Sequence, residues 1–104
     1  MKNEKIYNYF RVEQLENKNQ FIIYTPDERI FQSYNSIVAI SIAGELILGR
    51  DWDYSKTTLK HLYIFLENYA YFRKWADIRD LPNKRKAIQK LINEGVIKYE
   101  EELH

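Results

Sequence analysis

Short apolar runs separated by polar breaks fill the first half of the chain, a pattern typical of β-strands. The runs cover residues 7–15, 20–25, 29–34, 36–42 and 45–49. The polar turn ENKN joins the first two runs, and Ala43-Gly44 joins the last two, which predicts two β-hairpins in which Gly44 can supply a positive φ. Pro26 and Asp27 break the chain between the second and third runs, because proline cannot donate a ladder hydrogen bond.

The apolar spacing changes to three and four residues in the second half, which is typical of helices. Helix is predicted from about Lys56 to about Arg79, with a break near Asn68. The apolar positions form two sides, Leu59, Leu62, Tyr63, Leu66, Tyr69 and Ala70 on one and Phe65, Phe72, Trp75 and Ala76 on the other. Such a helix must be buried twice, against the sheet and against another element or another chain.

A last helix is predicted at residues 83–95, after Pro82, with Gly95 suited to a left-handed helix end. Residues 96–99, VIKY, are expected to form a short closing strand. The predicted fold is a single α+β domain spanning residues 1–104. It has an antiparallel sheet of about four to five strands, mostly N-terminal, covered by two to three C-terminal helices.

Composition excludes several classes of protein. The chain has no cysteine, so disulfides, thiolate metal sites and cysteine nucleophiles are excluded. No apolar run approaches the ~20 residues that cross a bilayer, and the first ten residues lack the apolar core of a signal peptide. A cytoplasmic protein with no membrane partner is therefore expected.

The charge is unevenly distributed although the net charge is only +1. Residues 1–55 contain six Lys or Arg against eight Asp or Glu, whereas residues 56–98 contain ten against four. The helical half is therefore basic. A basic face attracts acidic partners, nucleic acid included, and an ordinary solvated helix surface is the alternative interpretation.

The stretch GRDWDYSKTTLKHLYIFL, residues 49–66, carries the candidate chemistry. Asp51 and Asp53 are acids of the kind that hold Mg²⁺ for phosphoryl transfer. The SKTT segment lacks the glycines of a phosphate-binding loop, and neither His61 nor His104 has triad partners at a recognisable spacing. We predict no catalytic residue, no metal and no cofactor, and rank a metal-dependent nuclease third among the functional hypotheses.

Two non-catalytic interpretations remain for the same stretch. In the first, Ser55 or Asp53 caps the helix, and Trp52 and Tyr54 pack where the last strand turns into the helix. In the second, free N–H groups at the helix start bind one anion, as a contact and not a reaction. The residues of that anion site would be Ser55, Lys56 and Lys60, with Thr57 and Thr58.

Two surfaces of the helical half are candidates for binding. The last helix places Lys86, Gln89, Lys90 and Asn93 opposite its apolar edge, and Lys84 and Arg85 extend this patch. Lysine and arginine can neutralise phosphates, while the two amides can read base edges. The helix followed by GVIKY is also similar to the recognition helix and wing of small DNA-binding domains. The segment NYAYFRKW has the composition of an interface core or of a dimer surface, through Tyr69, Tyr71, Phe72, Arg73, Lys74 and Trp75. Ordinary packing of these rings in the core is the alternative interpretation.

Four segments, IFQSYNSIVAI, WDYSKTTLKH, IFL and KAIQKLINEGVIKY, resemble a pattern found in small uncharacterised proteins of bacterial phages and plasmids. Those proteins share Phe-x-Ser-Tyr, then Trp-Asp-Tyr-Ser-x-Thr-Thr-x-Lys, then Phe-Leu, then a Lys-rich helix with a glycine and a short strand. The resemblance covers roughly residues 31–99, and the aromatic stretch at 67–83 is longer than in the family pattern. It implies a mobile-element accessory protein in a bacterial cytoplasm and carries no activity across.

The function expected from residues and resemblance together is non-catalytic binding. The partner would be a host protein or protein–nucleic-acid complex, for example a defence complex inhibited in the anti-CRISPR manner. The alternative is direct nucleic-acid binding by the basic last helix.

Overall fold

The computed structural model describes residues 11–15 and 18–103. Its strands are β1 (Arg11–Gln14), β2 (Gln20–Tyr24), β3 (Glu28–Ser33), β4 (Ser36–Ile42), β5 (Glu45–Leu48) and β6 (Lys98–Tyr99). Its helices are α1 (Lys56–Asn68), α2 (Trp75–Ile78) and α3 (Lys84–Asn93). Residues 7–10 of the first predicted strand, and part of the turn that follows it, lie outside the described residues.

The six strands form one mixed sheet in which spatial order follows chain order. Strands β1 to β5 pair antiparallel as successive neighbours, whereas β6 pairs parallel with β5. The α+β class and the mostly N-terminal position of the sheet are confirmed, but the sheet is mixed and has six strands, where an antiparallel sheet of about four to five strands was predicted. All the described helices lie between β5 and β6, and such a long crossover returns a strand in the parallel direction.

The turn between β4 and β5 shows why its sequence forms a tight hairpin. Ala43 and Gly44 have φ values of 52° and 82°, and a two-residue hairpin turn of this kind needs a positive φ at both positions. The predicted hairpin is confirmed. The β2–β3 connection at Pro26 is also a tight turn, closed by a 3.1 Å hydrogen bond from Thr25 N to Glu28 O.

The core lies between the sheet and α1. Phe31 pairs with Ile22 on one side and Ala39 on the other, so an apolar row crosses neighbouring strands on the same face. The ring of Phe31 stacks on that of Phe65 from α1 at a centroid distance of 5.9 Å. Burial of these apolar side chains between the helix and the sheet is the main stabilising contribution in a fold of this kind.

The opposite face of the sheet is also apolar. Ile23, Ile30, Ile40 and Ile47 face one another in register across β2, β3, β4 and β5. All four are half-buried. The strands therefore contain apolar residues on both faces, which explains why the sequence shows only partial alternation.

Helix α1 is buried on two sides, as its two apolar faces predict. Phe65 points to the sheet, while Tyr63 meets Trp75 of α2 edge-on at 5.1 Å. The Tyr63 hydroxyl donates to the carbonyl of Lys84 in α3 over 3.2 Å. The helix ends at Asn68, where the break was predicted. Within the described residues, no helix combines the length and apolarity required to cross a membrane.

Candidate binding surfaces

The two acids after β5 are held by different parts of the fold. Ser36 Oγ donates to Asp51 Oδ2 over 2.9 Å. Asp53 Oδ2 lies 3.5 Å from Arg85 Nε in α3, and Arg85 also donates to the Asp53 carbonyl over 3.3 Å. Among residues 11–15 and 18–103, no three His, Asp or Glu side chains are grouped so that they could hold a metal ion.

The start of α1 is a capped helix terminus. Ser55 Oγ accepts from the Thr58 backbone N–H over 3.0 Å, which confirms Ser55 as the N-cap. Trp52 is buried at the strand-to-helix junction, as predicted, but Tyr54 is 78% exposed and does not pack there. The predicted anion contact remains a prediction, with Lys56 and Lys60 exposed beside the cap.

His61 is fully buried on the side of α1 that faces the core. Its Nδ1 donates to the Thr57 carbonyl over 2.8 Å, and since a carbonyl can only accept, the proton is on Nδ1. Nε2 is buried and has no hydrogen-bond partner among the described residues. His61 is not among the apolar positions of the predicted helix, so the sequence pattern did not indicate that its ring is fully buried.

The aromatic segment after α1 is largely used within the fold. Phe72 is buried, and Tyr69 and Trp75 pack against the core. The Trp75 indole N–H donates to Glu67 Oε1 over 2.7 Å. Tyr71 is the aromatic residue of this segment that lies mostly in solvent, at 72% exposure. The exposed members of the predicted partner surface are therefore Tyr71, Arg73 and Lys74.

Burial affects the phenols around this segment. Burial raises the pKa of Tyr63 to about 12. It also raises the pKa of Tyr69, with the charges of Glu13 and Tyr24 acting in the same direction. The Tyr69 ring contacts that of Tyr24 edge-on at 6.4 Å, so the segment is anchored to β2 as well as to α1.

Helix α3 presents a basic face, as predicted. Ala87, Ile88 and Leu91 are buried, whereas the basic and amide residues are exposed: Lys84, Arg85, Lys86, Gln89, Lys90 and Asn93. Asn83 caps the helix by accepting from the Lys86 N–H over 3.0 Å. Lys84 Nζ lies 5.3 Å from the centre of the Tyr63 ring. Lys86, Gln89, Lys90 and Asn93 thus lie on the exposed side of α3, whereas Lys84 lies beside the Tyr63 ring.

The chain after α3 does not form a wing. Lys98 and Tyr99 pair in parallel with Ile47 and Leu48 of β5. These two residues are the short closing strand that the sequence predicts within residues 96–99, and they extend the sheet beside β5 instead of forming a separate β-hairpin.

A polar cleft of about 680 Å³ lies between the β3–β4 turn and the first turn of α1. Gln20 and Ser36 line it from the sheet, and Tyr34 lines it from the β3–β4 turn. Asp51 and Tyr54 line it from the loop before α1, together with hydroxyl groups at the helix start. Sequence reasoning did not find this site. Its signal was two hydroxyl-rich segments, SYNS and SKTT, which only the tertiary fold brings together.

Comparison with known proteins gives a family and no activity. No curated protein matches the chain, and no solved structure matches it. A family model described as Family of unknown function (DUF8033) matches residues 2–80, a range that includes β1 to β5, α1 and α2 and ends before α3. Because the match extends over most of the sequence, the chain belongs to this family of unknown function.

Proposed function

We propose that this protein is a non-catalytic accessory protein of a phage or another mobile element, which docks through α3 on the acidic surface of a host protein or nucleoprotein complex. The single supporting observation is the exposed face of α3, which contains only basic and amide side chains. Charge complementarity of this kind gives partner choice and speed of association.

Lys86 and Lys90 are the centre of the proposed contact. They lie four residues apart on one helix face, where like charges repel by a few tenths of a kcal/mol, about 0.2–0.5. Among the described residues, no acidic side chain pairs with either lysine, whereas Arg85 is paired with Asp53. Acidic groups from a partner would relieve this repulsion.

The segment after α1 is a second candidate for contact with the partner. Arg73 and Tyr71 are exposed, and Lys74 reaches Asp77 only at 3.7 Å, with both side chains mostly in solvent. Because Phe72 and Trp75 are held in the core, they fix the backbone that presents these exposed side chains. Substitution of the buried rings would change the fold as well as any contact.

The test is affinity capture from bacterial lysate with the Lys86→Glu/Lys90→Glu double variant beside the unmodified protein. We expect one dominant acidic partner that is lost in the variant and whose capture weakens as salt rises. The control is Lys18→Glu/Arg50→Glu, which changes the net charge equally at two exposed positions in the sheet half. Equal capture by both variants would contradict docking through α3.

If the partner is a defence complex, the same pair of variants separates inhibition from mere capture. Cells that express the unmodified protein should lose defence against a targeted phage, whereas cells with the α3 variant should keep it. Loss of defence with both proteins would show that inhibition does not use α3.

Direct nucleic-acid binding is the second candidate, favoured by the amides on the same helix face. Gln89 Nε2 donates to Asn93 Oδ1 over 3.0 Å, so both amides lie along the exposed side of α3. Mobility shift at low salt should detect binding to DNA or RNA. The Lys86→Glu/Lys90→Glu variant should abolish it, because glutamate repels the phosphates that the lysines would contact. For the unmodified protein, each phosphate contact should add about 0.9 to the slope of log affinity against log salt concentration. A protein that shifts no nucleic acid at low salt refutes this candidate.

A further inference from the structure

The sheet carries a row of aliphatic side chains on the face away from α1. The row crosses five strands in register, from β1 to β5, and its members are Val12, Ile23, Ile30, Ile40 and Ile47. Helix α1 packs on the other face through Phe65 and Phe31, and α2 and α3 contact α1 through Tyr63. A sheet that has its helices on one face ordinarily presents polar residues on the other. An unbroken aliphatic row in that position indicates a surface that binds another apolar surface.

The side chains beside the row widen it to a continuous apolar patch. Phe21, Ile37 and Ile42 lie on the same side of the sheet, and together with the row they form a surface that we call the isoleucine face. Its isoleucines and Phe21 are half-buried, and Val12 is 60% exposed. The isoleucine face therefore retains apolar surface that association can remove from water.

The charges of the isoleucine face lie at its margins. The row ends at Lys98, which pairs with Ile47 in the sheet and forms an ion pair with Glu45 over 3.2 Å. Glu28 and Glu45 both flank Ile42, at one end of the strands. A charged partner would bury its charge against isoleucines without a counter-charge, which is unfavourable. The occupant that fits is therefore apolar and uncharged at its centre, and a second copy of the isoleucine face meets this requirement.

A symmetric pairing also keeps the acidic ends of two copies apart. Homodimers commonly use the same patch on both copies, related by a two-fold axis. With that axis parallel to the aliphatic row, the end of the face that contains Glu28 and Glu45 lies over the end that contains Phe21 and Ile37 in the second copy. The carboxylates of the two copies then do not meet, which avoids a repulsion that disfavours association.

We propose that this protein forms a symmetric dimer in which the isoleucine faces of two copies pack against each other as a two-sheet sandwich. Sheets pack face to face about 10 Å apart with their side chains interdigitated. Five strands about 4.8 Å apart and three rows of side chains give a face of roughly 24 by 20 Å. Two such faces amount to roughly 1,000 Å², the lower limit for a specific interface, so the dimer dissociates on dilution. The interface uses no residue of α3 and is independent of the proposed docking surface.

The test is sedimentation equilibrium of the unmodified full chain at increasing concentration. The apparent mass should rise from the monomer value of 12.7 kDa toward twice that value. In a mixed sample of isotope-labelled and unlabelled copies, filtered NOE spectra should show contacts between isoleucine methyl groups of different copies. A monomer at every concentration overturns the proposal, whether a soluble paramagnetic probe reaches these methyl groups or another part of the chain shields them. A dimer whose intermolecular contacts lie on another surface also overturns it.

Variants in the row make the test specific. Ile30→Thr/Ile40→Thr keeps the β-branch, and with it the strand preference, while it places hydroxyl groups at the centre of the interface. The dissociation constant of the dimer should rise about tenfold or more. Val12→Thr changes a 60% exposed residue at the end of the row, so it should fold even if the double variant does not, and should weaken the dimer less. The control is Leu81→Thr, which changes a 48% exposed residue after α2 and should leave the dimer unchanged. Unchanged association in both row variants would refute the assignment.

Discussion

Single side chains show how burial changes the chemistry of this protein. Tyr63 joins all three described helices: its ring meets Trp75 at 5.1 Å, and its hydroxyl donates to the Lys84 carbonyl over 3.2 Å. Burial raises the pKa of Tyr63 to about 12, since ionisation would place a charge in the apolar layer. A tyrosine that is buried by packing thus makes the free energy of unfolding depend on pH.

Stability should fall as the pH rises from about 10 to about 12. In the unfolded chain the Tyr63 phenol has its ordinary pKa of 10.0, whereas in the folded chain it is raised to about 12. Between these values only the unfolded chain releases the proton, so the contribution of Tyr63 is complete below pH 10 and is lost as pH rises through the folded pKa.

The measurement is the free energy of unfolding from urea titrations across this pH range. Tyr63→Phe should lose about 1 kcal/mol at neutral pH with the hydrogen bond and show a flatter decline in alkali. Tyr54→Phe changes a phenol that is 78% exposed and should decline like the unmodified protein. If the free energy of unfolding of Tyr63→Phe falls with pH as steeply as that of the unmodified protein, Tyr63 is not the cause of the fall.

The backbone packs closely against its neighbours at Gly49, where β5 ends and the loop to α1 begins. A Cβ on Gly49 would lie 2.6 Å from the Ile37 carbonyl and 3.3 Å from Leu103 Cβ. Gly49 N also donates to Val38 O over 2.9 Å, which fixes the end of β5 on β4. Only glycine allows the two strands and the C-terminal segment to approach this closely.

Gly49→Ala should therefore destabilise the protein by about 2 kcal/mol or more, because the displaced atom is backbone and cannot rotate away. Gly95→Ala is the matched control: its φ is 77° but nothing lies within 4 Å of the added Cβ. That change should cost about 1 kcal/mol from the backbone conformation alone. Denaturant midpoints compare the two variants, and an equal loss would show that the contact at Gly49 is easily relaxed.

At the scale of the whole molecule, the candidate binding features lie on different elements. The basic face is on α3, beyond the stretch that matches the family. The polar cleft is formed by the β3–β4 turn and the start of α1, within that stretch. The isoleucine row from Ile23 to Ile47 lies on the sheet face away from Phe31 and α1. A family member could thus keep the cleft while its last helix differs.

Much of the secondary structure was readable from local patterns. The β4–β5 hairpin, the cap at Ser55 and the end of α1 at Asn68 follow from turn chemistry and helix capping, which depend on neighbours in sequence. The parallel pairing of β6 was not readable, because two exposed residues carry no pattern and their partner strand is about fifty residues away.

The candidate binding surfaces were likewise predictable from sequence only in part. Helical period alone placed Lys86, Gln89, Lys90 and Asn93 on one exposed face of α3. The use of Phe72 and Trp75 in the core, the isolation of Gln20 Oε1 and the assembly of the cleft depended on which distant segments pack together. Local sequence thus determined the elements and their polar faces, since periodicity and capping act over a few residues. Tertiary structure alone decided which aromatics are buried and which hydroxyls share a cleft, because burial is a property of contacts between remote parts of the chain.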